Sequence, residues 1–154
     1  MTRTQFILLA IGGSAAALAG AYGFEYIGGL QPCQMCWWQR YAHMAAIVIG
    51  LLALVLKGRT LPYLGALAAL TGSAIALYHT GVERAWWQGI TSCSTGSIAG
   101  LDVTQLLDPA ANVVAPVRCD AIAWEMFGLS MASWNGILSL GLVIFWLMAA
   151  RKRA

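Results

Sequence analysis

Charged residues are scarce in this sequence. Nine Lys or Arg and six Asp or Glu among 154 residues come to 10%, against roughly 25% in a typical soluble domain. With 60% hydrophobic residues and a mean hydropathy of +0.71, that scarcity excludes an ordinary water-soluble domain and points to an integral membrane protein. Nucleic-acid motifs, a phosphate-binding glycine loop and low-complexity segments are also missing, and the classes that depend on them drop out. Glycine is plentiful, but it is scattered through apolar stretches and marks no linker. Cysteine occurs four times, as Cys33, Cys36, Cys93 and Cys119. An even set of this kind forms lasting bridges only in an oxidising compartment such as the periplasm.

What is present is a series of membrane-length apolar runs. Phe6 to about Ile27 supplies roughly the ~20 residues that cross a hydrocarbon core, interrupted only by Ser14 and a late Glu25. Ala17-Leu18-Ala19 has the form of a signal-cleavage site, yet the apolar run continues past it and only Arg3 supplies positive charge before it, so a retained helix is expected. Gly12, Ala16 and Gly20 recur every four residues, which suggests a face for close helix approach. Residues 37–56 form a second span, with Gln39, Arg40 and His43 in its first two turns and Ala42, Ala46 and Gly50 as small positions. The basic turn Lys57-Gly58-Arg59 leads to a third span over residues 63–80, with Gly65, Ala69, Gly72 and Ala76, and His79 near its end. Residues 134–150 form a fourth span, closed by Arg151-Lys152-Arg153. The connections are a short loop over 28–36 and a long polar segment over 81–133, too long for a plain link and so expected to be functional. The expected fold is all-α: one transmembrane domain, residues 1–154, built as a four-helix bundle with two loops on the cysteine side.

Four spans put both ends of the chain on one side. Arg3, Lys57, Arg59, Arg151, Lys152 and Arg153 fall there, whereas Glu25, Glu83, Asp102, Asp108, Asp120 and Glu125 all fall on the other. The positive-inside rule then makes the termini cytoplasmic and all four cysteines periplasmic. Helix placement used no cysteine, so the agreement with a disulfide-permissive compartment is independent. Trp37, Trp38, Trp86, Trp87, Trp124 and Trp134 cluster near the outer interface, and an aromatic belt explains most of them.

The stretch Gln31-Pro32-Cys33-Gln34-Met35-Cys36 carries a C-x-x-C pair, which serves as a redox disulfide, half of a metal site or a staple. Zinc would need Cys93 and Cys119 as further ligands, and 25 residues separate those two, so no metal is expected. A bridge across so small a loop stabilises a fold little. A redox role fits better, because Cys36 lies at a helix N-terminus, where free amides and the helix dipole favour a thiolate. Arg40 stands one turn deeper on the same face; an arginine inside the membrane boundary marks a site or snorkels to the headgroups. His43 reads as a core histidine, while His79 reads equally as functional or structural.

Cys33-x-x-Cys36-x-x-x-Arg40, Tyr78-His79-x-Gly81-x-Glu83, Thr91-Ser92-Cys93, and Arg118-Cys119-Asp120 followed by Trp124 and Gly128-Leu129-Ser130-Met131 closely resemble the DsbB family of bacterial quinone-dependent disulfide-forming membrane proteins. The resemblance covers nearly the whole chain. It implies a thiol:quinone oxidoreductase of the bacterial inner membrane that reoxidises DsbA, a soluble periplasmic thiol oxidase whose high potential calls for a still more oxidising sink. It implies a Cys33–Cys36 disulfide and a Cys93–Cys119 disulfide, attack of DsbA on Cys93, attack of Cys119 on Cys33, and Cys36 as the thiolate facing ubiquinone or menaquinone. Arg40 and His79 match residues of the family's quinone pocket. Gln34-Met35 between the first cysteines, and the bulky Trp37 and Trp38, leave the quinone type open. Two other classes compete: a haem-binding electron carrier with His43 and His79 as axial ligands, and an assembly factor whose cysteines are staples.

Overall fold

The computed structural model describes residues 1–90 and 117–152. Four helices in it are long and apolar enough to cross a membrane: α1 (Arg3–Tyr26), α2 (Gln34–Val55), α3 (Thr60–Glu83) and α4 (Met131–Arg151). A two-residue hairpin, β1 (Glu125–Met126) with β2 (Leu129–Ser130), precedes α4. Each helix packs on two others, α1 and α3 both lying against α2 and α4, so the protein is a four-helix transmembrane bundle. Residues 91–116, with Cys93, lie outside the described residues.

Local chemistry sets the helix ends. Thr2 caps α1 in a capping box, its hydroxyl accepting from the Gln5 N–H while its own N–H donates to Gln5 Oε1 at 2.8 Å. Helix α2 begins three residues earlier than the apolar run suggests, because Cys33 is itself the cap: its backbone is extended and its sulfur accepts from the Cys36 N–H at 3.4 Å. Helix α4 likewise begins at Met131 rather than Trp134, since the Ser130 hydroxyl accepts from the Ser133 N–H at 3.2 Å. At the other boundary α3 runs past Thr80 to Glu83, and the Arg84 N–H still bonds back to the Thr80 carbonyl. The hairpin turn places Phe127 and Gly128 at φ 55° and 75°, the pair of positive values a two-residue turn of type I′ needs. The Trp134 indole N–H holds the Met126 carbonyl at 3.2 Å, and the Arg84 guanidinium donates to the Gly128 carbonyl.

Lipid gives helices no hydrophobic reason to associate, so close packing must do it. The core at the end bearing the chain termini gathers Phe6, Ile7, Ala10, Ala46, Ala53, Ala66, Leu142 and Ala149 around Trp146, which is fully buried. A Cβ at Gly65 would stand 2.6 Å from the Trp146 ring, and one at Gly50 2.5 Å from Ile11 and 3.1 Å from Trp146. The small residues of α2 and α3 therefore seat the indole. On α1 the expected close-packing face is elsewhere: a Cβ at Gly12 or Gly20 would meet nothing within 4 Å, while Gly13 abuts Leu142. Ala16, Gly20 and Ala21 instead line a cavity. Arg3 donates to the Gly58 carbonyl at 3.0 Å, tying the start of α1 to the α2–α3 turn at one end of the bundle.

Candidate redox site

The opposite end is polar where it is buried. Capping by Cys33 brings its sulfur to 3.0 Å from Cys36 Sγ. Cys33 is buried and Cys36 half-buried, and Cys119, fully buried, packs into the same cluster with Met35 and Val82. The Cys33 thiol, which stands before the first residue of α2, is pushed up to about 12, first by its hydrogen bond with Cys36 and then by burial. The Cys36 N–H already points at its sulfur at 3.4 Å, and His79 Nε2 lies 3.6 Å from it. Its own proton is thus best directed at Cys36, which leaves Cys36 as the sulfur on which negative charge collects at the helix N-terminus.

His79 reaches this cluster from the last turn of α3. Gln39 Nε2 stands 3.0 Å from its Nδ1, and Glu83 Oε1 lies 3.8 Å from its Nε2. Glu83 accepts a hydrogen bond from the Ser130 hydroxyl, so the cap of α4 and the end of α3 are joined at the site. Gly81, two residues on from His79, is required by Trp87: any Cβ there would collide with the indole, which stacks on Tyr78 at 5.8 Å and donates to the Tyr78 carbonyl at 3.0 Å.

Arg40 is buried and paired. Its guanidinium lies 2.5 Å from Glu25 Oε2, with side-chain exposures of 7% and 11%, donates to the Ala21 carbonyl at 3.3 Å, and sits 4.7 Å from the Tyr22 ring centroid and 4.9 Å from that of Trp37. It is therefore held within the protein rather than extended to the headgroups. An apolar cavity of about 460 Å³ opens beside it, lined by Ala16, Ala21, Phe24, Trp124 and Leu138, with Cys36, Arg40 and His79 at its polar edge. Near the mouth, the Arg118 guanidinium grips Asp120 with two hydrogen bonds of 2.9 and 2.6 Å, and this holds the Asp120 carboxyl below its usual range.

Four residues singled out from sequence, Cys33, Cys36, Arg40 and His79, thus line one cavity, and a fifth, Cys119, is buried in the cluster with Cys33; Cys93 lies outside the described residues. His43 hydrogen-bonds Asn135 Oδ1 at 2.9 Å and the Ser139 hydroxyl at 3.4 Å. An axial haem pair of His43 and His79 would have to break these bonds and those of His79. Ligand atoms of Cys33, Cys36 and His79 lie within 4.8 Å of one another, a three-residue grouping that chain spacing does not reveal. The 3.0 Å between the sulfurs is nonetheless shorter than the ~3.8 Å that two thiolates on one tetrahedral zinc adopt with 2.3 Å bonds.

Three participants went unrecognised in the sequence. Glu25 is the sole carboxylate of the first span, and the need of an intramembrane arginine for a partner was the signal available. Gln39 stood out only as a neighbour of His43, and Asn135, one polar residue at the head of an apolar run, gave no signal of its own.

The family model described as "Disulfide bond formation protein DsbB" matches residues 3–149. Proteins named disulfide bond formation protein B are similar throughout. That of Aromatoleum aromaticum is 32% identical over 168 residues, covering 99% of this chain and 95% of the relative. That of Methylococcus capsulatus is 32% identical over 140 residues, covering 87% and 85%. That of Marinobacter nauticus is 26% identical over 145 residues, covering 90% and 86%. No solved structure matches the chain. With a family match over nearly its full length, on a membrane bundle whose buried cysteines meet at one end, the chain belongs to the DsbB family of disulfide bond formation proteins.

Proposed function

We propose that this protein is a thiol:quinone oxidoreductase that reoxidises a DsbA-like periplasmic dithiol oxidase and delivers the electrons to membrane ubiquinone or menaquinone. The observation that carries the reading is the burial of Cys119 against Cys33 and Cys36 at the edge of an apolar cavity that also holds Arg40 and His79. The orientation has the termini in the cytoplasm and the cysteine end in the periplasm, in line with the basic residues gathered near Arg3 and Gly58 at the opposite end.

The chain's own residues divide the work. A partner thiolate attacks Cys93 and releases Cys119 as a thiolate; the partner's second thiol then breaks that mixed disulfide and leaves oxidised. Cys119, already buried beside Cys33, attacks the Cys33 sulfur of a Cys33–Cys36 disulfide, forming one S–S bond and releasing Cys36 as a thiolate. Regeneration of the Cys33–Cys36 and Cys93–Cys119 bridges releases two electrons per cycle, with the two protons of the partner's thiols. A bound quinone supplies the acceptor for two electrons and two protons. The apolar walls from α1 and α4 suit a hydrophobic ring, and Arg40, held by Glu25, presents a fixed positive charge where negative charge develops. His79 offers a hydrogen-bond donor at the same edge.

Cys119→Ser tests the relay. Exposed to the reduced partner, the variant should accumulate a mixed disulfide that peptide mass spectrometry places on Cys93. Capture on Cys33 contradicts the relay, and failure to capture any partner contradicts the function.

A further inference from the structure

A chain of side-chain hydrogen bonds runs from the cysteines into the bundle, and its donors and acceptors can be assigned in turn. Asn135 Nδ2 donates to Gln39 Oε1 at 2.7 Å. Gln39 must therefore turn its NH₂ the other way, where it donates to the Met35 carbonyl at 3.3 Å and faces His79 Nδ1 at 3.0 Å. An NH₂ group offers only hydrogens, so Nδ1 accepts, and the proton of the neutral ring sits on Nε2. That N–H faces Cys33 Sγ at 3.6 Å and Glu83 Oε1 at 3.8 Å. Beyond Asn135, its Oδ1 faces His43 Nε2 at 2.9 Å, so His43 donates there and extends the chain.

We infer that Gln39 and Asn135 are positioning residues that hold His79 as the neutral Nε2–H tautomer, a fixed hydrogen-bond donor aimed at the Cys33 sulfur. A second proton on Nδ1 would point at the hydrogens of Gln39. To admit it, Gln39, Asn135 and the His43 bond would have to invert together. His79 thus donates a hydrogen bond to Cys33 and removes no proton from it. The titratable groups facing His79 are Cys33 ahead of α2 and Glu83 on its own helix, and the Cys119 backbone also hydrogen-bonds the ring. Cys36, Arg40 and Arg118 share its cavity, α4 contributes uncharged Asn135, and the cap of α4 is uncharged Ser130. The value of such a donor to catalysis rests on the proposed thiol:quinone reaction; the tautomer does not.

The chain has two histidines, so ¹⁵N-histidine-labelled protein in lipid nanodiscs gives a simple spectrum that His79→Gln assigns. His79 should show a bare Nδ1 and a protonated Nε2 near neutral pH. Gln39→Glu, which offers Nδ1 an acceptor, should move the signature to a protonated Nδ1 and raise the pH at which the ring loses its charge by at least about one unit. Gln39→Met, similar in size and without a donor, should give a mixture of tautomers, and it serves where the buried carboxylate prevents folding. A protonated Nδ1 in the neutral wild-type ring, or a tautomer unchanged in the folded variants, overturns the inference. A protein that shows the expected tautomer yet reduces no quinone overturns the proposed reaction alone.

Discussion

The two ends of this bundle solve the same problem with different chemistry. At the end carrying the chain termini, helices are held by contact: Trp146 fills the space that Gly50 and Gly65 leave open, within a shell of Phe6, Ile7, Ala66 and Leu142. Among the described residues the two buried side-chain polar atoms without a hydrogen-bond partner, Trp146 Nε1 in this core and Ser14 Oγ midway along α1, both lie outside the cysteine cluster. At the cysteine end the buried polar groups include Gln39, Arg40, His43, His79, Thr80 and Ser130, and every one of these is hydrogen-bonded. Polar groups in a membrane interior are costly unless satisfied, so an end that concentrates them and satisfies them is built for chemistry, while the other is built for association. Breaking each end should therefore give different symptoms.

The largest effect is expected at the Arg40–Glu25 pair. Glu25→Gln leaves a buried guanidinium without its carboxylate and should destabilise the folded protein by about 3–5 kcal/mol, measured by reversible unfolding in mixed detergent micelles. Glu25→Met with Arg40→Met should recover most of that stability while leaving quinone reduction impaired. Equal loss of stability in the single and double variants would mean that the two side chains are not coupled. Next, Arg40→Gln should slow quinone reduction about 10²-fold, the scale set by removing one preorganised donor, and leave capture of the thiol partner on Cys93 intact. Unchanged quinone kinetics would remove Arg40 from the site. The smallest effect belongs to the packing end. Gly65→Leu should displace Trp146 and cost about 1–3 kcal/mol, with the folded fraction keeping its rate; loss of rate without loss of stability would show that the two ends are not separable.

How far the sequence discloses these two ends also differs. Hydropathy reveals four spans because lipid demands apolar runs of membrane length, and the charge asymmetry marks which ends lie together. Helix starts are less legible: Cys33 and Ser130 look like loop residues by composition, yet each caps a helix through its side chain and draws α2 and α4 back by one turn. The hairpin at Glu125–Ser130 is too short to produce any alternation of apolar and polar residues. Among the site residues, cysteines and an intramembrane arginine announce themselves by residue type and place. The partnership of Gln39 with Asn135 joins positions 96 residues apart and depends on how α2 and α4 face each other, which one sequence does not encode in any local pattern. The small-residue stripe of α1 shows the same limit, since the spacing that permits helix contact equally permits a cavity wall.

The most direct test is anaerobic stopped-flow mixing of the purified protein with an excess of the reduced DsbA-like partner and ubiquinone, followed by the ultraviolet absorbance of the quinone. One quinone should be reduced for each partner dithiol oxidised, and the signal should vanish in Cys36→Ser. Partner oxidation with no change in quinone absorbance, or an undiminished signal in Cys36→Ser, would contradict electron exit through the cavity beside Cys36 and Arg40.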